Sequence, residues 1–139
     1  MKVRTGVLVS VALLAVSVLV VTGADRATAQ QQTVVITIGI DANGDVTASP
    51  DRVTVQRDQA VEWAADTLSA VKDFTVRFQS ATPFGNAAAR AGIRGRRKAK
   101  GRGRVTRRAR VGWTYKYTIG VWDGQNVRVV DPEIIIGPS

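Results

Sequence analysis

The side chains in this sequence best suited to chemistry are the arginines and lysines of residues 90–110. This segment, RAGIRGRRKAKGRGRVTRRAR, contains eleven cations, four glycines and no acidic residue. Guanidinium groups bind phosphate, sulfate and carboxylate oxygens through paired hydrogen bonds, so the segment predicts an anion-binding site. The candidate binding residues are Arg94, Arg96, Arg97, Lys98, Lys100, Arg102, Arg104, Arg107, Arg108 and Arg110.

The same segment is expected to be a long, mobile loop. Its like charges repel one another and its glycines add backbone freedom, with only Ile93 as an apolar anchor and a short strand around Val105. Anionic polymers and lipid head groups are the partners that such an arm attracts. Dedicated nucleic-acid binding is disfavoured, because no aromatic residue lies between the cations for bases to stack on. The alternative is a solvated insertion with no function of its own, and the sequence does not fix the oligomeric state.

Calcium binding is the first of the other site types to consider. Asp41, Asn43 and Asp45 have the spacing of the first half of a calcium loop. That loop requires glycine at its sixth position and a bidentate acid at its twelfth, where this chain has Val46 and Arg52. An ordinary turn between strands is therefore the preferred interpretation.

Catalysis also finds little support in the residue types. The chain has no histidine and no cysteine, so serine-based acyl transfer lacks its base and no thiol nucleophile exists. Asp131 and Glu133 are two neighbouring carboxylates, but a solvated start of a strand explains them without glycosidase chemistry. The sequence predicts no catalytic residue, no cofactor and no metal site, and indicates a protein that is not an enzyme.

The elements that must position these residues are strands. Apolar residues alternate with polar ones along several short stretches, and Asn43-Gly44 and Asp123-Gly124 mark turns between them. About seven strands with turn signals between them indicate an all-β sandwich. The predicted strands are 34–40, 52–56, 60–65, 74–79, 113–121, 127–130 and 133–137.

The aromatic residues are expected mainly in the core of this sandwich. Trp63, Trp113, Tyr115 and Tyr117 occupy alternating strand positions, where each would bury a large apolar area. Trp122 has the opposite phase and precedes a turn, so it is the best candidate for an exposed aromatic side chain.

Four stretches together resemble the cupredoxin-like family, the fold of the blue copper proteins. SPDRVTVQRDQAVEW (49–63) is similar to the second and third strands of that family, although Arg57 replaces the usual turn glycine. KDFTVRF (72–78) is similar to the strand after the first copper histidine, and WTYKYTIGVWDG (113–124) to the aromatic strand before the copper-binding loop. DPEIIIG (131–137) is similar to the last strand. The resemblance implies a cupredoxin-like Greek-key β-sandwich over most of residues 34–137, with residues 90–110 as one long basic loop.

The copper ligands of that family are missing from this sequence. A blue copper site uses two imidazoles, a thiolate and usually a thioether. No histidine stands near 72–74, the family's cysteine position falls at Ile119, and its next histidine falls near Trp122. The only methionine is Met1. The resemblance therefore implies a relative without copper.

The N-terminus has the pattern of a signal peptide at residues 1–29. Lys2 and Arg4 precede an apolar run at 6–21, and Ala27-Thr28-Ala29 supplies a cleavage site. The run is shorter than the roughly 20 residues of a spanning helix, which favours cleavage over anchoring. We expect a mature domain of residues 30–139, exported to a bacterial periplasm or secreted. Outside 90–110 that domain is mildly acidic, with six cations and ten acids.

These observations lead to a functional hypothesis with two alternatives. The first is an exported, metal-free cupredoxin-like module that binds or interacts with partners, with the basic segment contacting anions. The second is a structural or accessory envelope protein whose sandwich binds another protein while the basic loop is incidental. An enzyme of unrecognised type is the third.

Overall fold

The computed structural model describes residues 31–85, 88 and 92–139, which form an all-β domain. The signal peptide predicted at 1–29 and the cation Arg90 lie outside these residues. The strands of the described part are β1 (Val34–Ile40), β2 (Val46–Ser49), β3 (Arg52–Val55), β4 (Ala60–Ala65), β5 (Asp73–Phe78), β6 (Ile93–Arg96), β7 (Gly101–Arg104), β8 (Thr114–Trp122), β9 (Val127–Val130) and β10 (Glu133–Ile136).

The strands form two sheets. Sheet I has the order β2-β1-β4-β7, and sheet II has the order β3-β10-β8-β5-β6, with β9 paired to the last part of β8. Two pairs are parallel, β1 with β4 and β3 with β10. The predicted all-β sandwich is confirmed, and the arrangement is consistent with a cupredoxin-like sandwich. The predicted number of about seven strands is too low, since the described residues form ten.

The core lies between the sheets and follows from the alternation in the sequence. One face of β1 contributes Ile36 and Ile38, and β4 contributes Val61 and Trp63, all fully buried. Sheet II adds Val76 from β5, Tyr117 and Ile119 from β8, and Ile134 from β10. In the described part of the chain, no helix is long and apolar enough to cross a bilayer.

The prediction that residues 90–110 form one long loop outside the sandwich is wrong for the described part of that segment. β6 pairs with β5 at the edge of sheet II, and β7 pairs with β4 at the edge of sheet I. Ile93, Val105 and Ala109 are buried in the common core. The segment thus supplies one edge strand to each sheet.

Candidate anion-binding face

The basic hairpin, defined here as residues 93–104, turns the arginines of its two strands toward solvent and the strand glycines toward the core. Arg94 and Arg96 on β6 are exposed, as are Arg102 and Arg104 on β7. Side chains alternate between the two faces of a strand, so every second residue of these strands points at solvent and the intervening ones point inward. Those inward positions are Ile93, Gly95, Gly101 and Gly103.

Aromatic rings from the sandwich explain the inward glycines. A Cβ on Gly95 would overlap the ring of Phe74, and a Cβ on Gly103 would lie 2.7 Å from Cδ1 of Phe84. A Cβ on Gly101 would lie 2.9 Å from Cγ2 of Ile93. Phe74, Phe84 and Ile93 are themselves buried. The two edge strands therefore lie directly on core side chains, and the Arg-Gly repeat is a strand pattern.

Glu62 anchors the hairpin to sheet I. This carboxylate lies on β4 with only 8% of its side chain exposed. Lys100 Nζ is 2.5 Å from one of its oxygens, and Arg102 Nε is 2.8 Å from the other. The hydrogen bond from Lys100 lowers the pKa of Glu62, with further help from Arg102, although burial acts in the opposite direction.

Further contacts fix the turn of the hairpin. Arg96 Nε lies 3.5 Å from a carboxylate oxygen of Asp73 on β5. Arg97 Nη2 donates a hydrogen bond of 2.7 Å to the carbonyl of Thr67, just after β4. The turn is thereby held to both sheets.

Beyond β7, the chain is held to the residues that precede β4. Arg104 Nη1 donates to the carbonyl of Asp58 at 2.7 Å, and Arg107 Nε donates to its carboxylate at 2.9 Å. Asp58 adopts a positive φ of 62°, and its backbone N–H donates to the carbonyl of Val105 at 2.9 Å. The contacts to Thr67 and Asp58 lie beyond opposite ends of β4, so the cations extend over roughly 20 Å along the sandwich.

Arg110 ends the basic segment beside an exposed aromatic ring. Its guanidinium carbon lies 4.3 Å from the ring centroid of Trp113, within the range of a cation–π contact. Trp113 is 47% exposed, so the prediction that it packs in the core is wrong. The reason is that β8 begins one residue later, at Thr114. The predicted burial of Trp63, Tyr115 and Tyr117 is confirmed.

Three further cations form neither an ion pair nor a side-chain hydrogen bond within residues 31–85, 88 and 92–139. These are Arg94 on β6, Lys98 in the hairpin turn and Arg108 after β7, all exposed. In total, four of the ten candidate cations form ion pairs, and they use three carboxylates, those of Asp58, Glu62 and Asp73. β6, β7 and the turn between them place seven of the sequence-predicted cations at one edge of the sandwich, and Arg107, Arg108 and Arg110 follow on the connection to β8. This cationic surface is called the basic face below.

The acids of this face were not predicted from the sequence. Asp58, Glu62 and Asp73 were not singled out, because their pairing depends on the strands β6 and β7. The Arg94/Arg96 and Arg102/Arg104 spacing was the available signal, since a repeat of two is the period of a strand.

The other acidic candidates have structural roles. The Asp41 side chain accepts hydrogen bonds of 2.9 Å from the backbone N–H groups of Asn43 and Asp45, which makes this stretch a turn, as predicted. Asp131 accepts a hydrogen bond of 2.6 Å from Thr118, and Glu133 forms an ion pair with Arg52. Within the described residues, no group of three His, Cys, Asp or Glu side chains could hold a metal ion.

The residues at the family's copper positions do not fit copper. Ile119 is fully buried in the core. Trp122 is 38% exposed at the end of β8, so the exposure predicted for it is present, although Trp113 is more exposed. The Lys72 side chain packs against Gly124 in the turn after β8. None of these side chains is an imidazole, thiolate or thioether.

Comparisons with known proteins give little beyond this geometry. No protein-family model and no curated protein matches the chain. One similar solved structure is the 2F4 variant of the McoA multicopper oxidase from the hyperthermophile Aquifex aeolicus, at 11% identity and a TM-score of 0.41. The match covers 78% of this chain and 30% of that one, so the chain spans less than a third of the length of that protein.

Proposed function

We propose that this protein is an exported binding module, with a cupredoxin-like sandwich that has no copper site, and that its basic face binds extended polyanions. The observation that carries the proposal is the charge excess of this face, where three carboxylates form ion pairs with only four of the ten cations. Cations held along two edge strands present their charge in a fixed row. A polymer with repeated sulfate, phosphate or carboxylate groups matches such a row.

Binding rather than catalysis is the activity that these residues support. The basic face has no histidine or thiol, and each of its three carboxylates accepts a cation. Carboxylates held in ion pairs fix the positions of their cations, and none of the three is arranged for proton transfer.

A structural role is the second candidate, and the ion pairs of Glu62 and Asp58 favour it. In that case the cations serve only to hold β6 and β7 against the sandwich, as Lys100, Arg102 and Arg107 do. Arg94, Lys98 and Arg108 distinguish the two candidates. They form no ion pair and no side-chain hydrogen bond within the described residues, so holding the hairpin does not require them.

The test removes only these unpaired charges. A triple variant, Arg94→Gln, Lys98→Gln and Arg108→Gln, is compared with the wild type on a heparin column. The control triple variant, Arg52→Gln, Lys72→Gln and Lys116→Gln, loses the same charge at exposed positions outside the basic segment. Polyanion affinity depends on salt in proportion to the number of ionic contacts, so the salt concentration at elution reports their number.

The polyanion proposal requires the first triple variant to elute at clearly lower salt than both the wild type and the control. Equal elution of the two triple variants would mean that only net charge matters and would overturn a specific face. Failure of the wild type to bind would leave the structural role as the explanation of the cations.

A further inference from the structure

Gly120 is a glycine that the fold itself does not require. It lies in the middle of β8, where glycine weakens a strand by roughly 0.5–1 kcal/mol relative to alanine. Its φ is not positive, and a Cβ built on it would meet nothing within 4 Å. By contrast, the inward glycines Gly95, Gly101 and Gly103 each lie against a core side chain. An interior strand glycine with open space above it is typical of a place where a ligand approaches the backbone.

Gly120 forms the floor of a groove on the outer face of sheet II. The groove has a volume of about 350 Å³, at the lower end of the range for ligand sites. Trp122, Val127 and Val129 line one side, and all three are exposed. The polar lining side chains are those of Asp73, Thr75, Arg77 and Thr118, and the buried Phe74 and Val121 complete the lining.

The register of sheet II connects this groove to the basic face. Thr75 is the cross-strand partner of Arg94 on one side and of Gly120 on the other, and Gly120 is paired with Val129. These residues form one row across the sheet. It begins at Arg94, which has no acidic partner among the described residues, crosses Gly120 at the floor of the groove and ends at the apolar side chain of Val129. Arg77 adds a second exposed cation at the groove.

We propose that this groove binds one sugar ring of an acidic polysaccharide, and that such a polysaccharide is the polyanion bound by the basic face. The inference rests on the proposed function and names its ligand class. The ring lies over Gly120, its C–H face packs against Trp122, and its hydroxyls meet Thr75 and Thr118. Its carboxylate or sulfate points toward Arg94 or Arg77, whose guanidinium groups bind such anions in paired geometry.

The chemistry of the groove favours a sugar over other anionic ligands. A lipid chain requires walls that are apolar throughout, whereas hydroxyl groups and a guanidinium line part of this groove. Single-stranded nucleic acids use successive aromatic side chains as stacking platforms, and Trp122 is the one aromatic exposed among the residues lining the groove. A pyranose ring has both an apolar face and a polar rim, which matches the two kinds of lining residue.

The test fills the groove without disturbing the core. Gly120→Val places a β-branched side chain in open space on a strand, so the variant is expected to be at least as stable as the wild type. The control is Thr114→Val, an exposed position of the same strand outside the groove. Three probes are compared at one ionic strength: polygalacturonate, neutral dextran and single-stranded poly-dT.

Gly120→Val is expected to weaken polygalacturonate binding about tenfold, a change of about 1.4 kcal/mol, while Thr114→Val does not. Binding of poly-dT, which uses the cations alone, should be the same in all three proteins, and dextran should bind weakest. Unchanged polygalacturonate binding by Gly120→Val would overturn the groove but leave the polyanion proposal in place. An equal loss for poly-dT would overturn the sugar assignment, and failure of every protein to bind any anionic probe would overturn the proposed function itself.

Discussion

Glu62 shows how a single side chain can hold an unusually basic segment in place. The carboxylate is nearly buried, yet it stays ionised because Lys100 and Arg102 reach it from solvent-exposed positions. Both cations keep much of their hydration, since 52% of the Lys100 side chain and 72% of the Arg102 side chain are exposed. This arrangement avoids much of the cost of burying a complete ion pair.

The lowered pKa of Glu62 predicts a loss of stability in acid. The stabilisation is fully present above the ordinary glutamate pKa of 4.5 and is lost as the pH falls through the lower pKa of the folded state. Glu62→Gln should therefore be less stable than the wild type at pH 7, and the difference should shrink as the pH approaches 3. Urea unfolding at a series of pH values measures it, and a difference independent of pH would contradict the role assigned to this carboxylate.

Gly95 provides a second prediction at the residue scale. Gly95→Ala places a methyl group 2.1 Å from Cζ of Phe74, and such overpacking costs about 1–3 kcal/mol. Gly120→Ala is the matched control, since its methyl group enters open space and the variant should be unchanged or more stable. Thermal unfolding of the two variants gives the comparison, and equal stabilities would show that Gly95 does not lie against the core.

At the scale of elements, the sequence predicted the strands whose inner faces are built from large side chains. β1, β4, β5 and β8 were predicted to within one residue at each end, because their buried positions alternate isoleucine, valine and aromatic residues with polar ones. β6 and β7 were missed because their inner faces are mainly glycine, which contributes no apolar signal of its own. The rings that pack against these glycines belong to Phe74 and Phe84, about 20 residues away in the sequence. No local sequence pattern reveals these contacts.

The sequence predicted the cations of the candidate site but not their arrangement in space. All ten cations were identified from the sequence, and the charge excess that they create is present. Their fixed positions, and the three acids that hold several of them, depend on the strand pairing of β6 with β5 and of β7 with β4. The groove over Gly120 was not predicted, since it depends on the register of three strands, β5, β8 and β9.

The basic hairpin gives a prediction that reverses the expectation from the sequence. A loose loop could be removed with little loss of stability. The hairpin instead forms an edge strand of each sheet, so its removal should destabilise the domain. Replacing residues 94–104 with a short Gly/Ser linker should unfold the domain or remove most of its stability, because Phe74 and Phe84 lose their cover. Far-ultraviolet circular dichroism and urea unfolding measure this effect.

Two variants serve as controls for that replacement. Ile93→Ala keeps the backbone and should cost about 2–5 kcal/mol, because Ile93 is a core residue. Lys98→Gln changes only an exposed turn residue and should leave stability nearly unchanged. A stable, cooperatively folded linker variant would mean that β6 and β7 are not integral to the sandwich.

At the scale of the whole molecule, an aromatic cluster joins the two sheets. Trp63 from sheet I meets Tyr117 from sheet II edge to face, with ring centroids 6.0 Å apart. Phe84 lies 5.5 Å from Trp63, and Phe78 lies 5.1 Å from Tyr117. Such pairs add to the apolar area they bury. The cluster makes the sandwich one cooperative unit, into which the glycine faces of β6 and β7 also pack.

Tyr117, a member of this cluster, predicts that the domain loses stability at high pH. Burial raises the pKa of its phenol to about 12, from an ordinary value of 10.0. The phenol therefore ionises at lower pH in the unfolded state than in the folded state. Its contribution to stability is complete below pH 10.0 and is lost as the pH rises toward 12.

Tyr117→Phe should retain the stability of the wild type at pH 7, because the buried hydroxyl has no hydrogen-bond partner among the described residues. The variant should also lose less stability than the wild type as the pH rises. Thermal unfolding between pH 8 and pH 11 measures this difference. An equal loss of stability in the two proteins would mean that Tyr117 is not the buried phenol that joins the sheets.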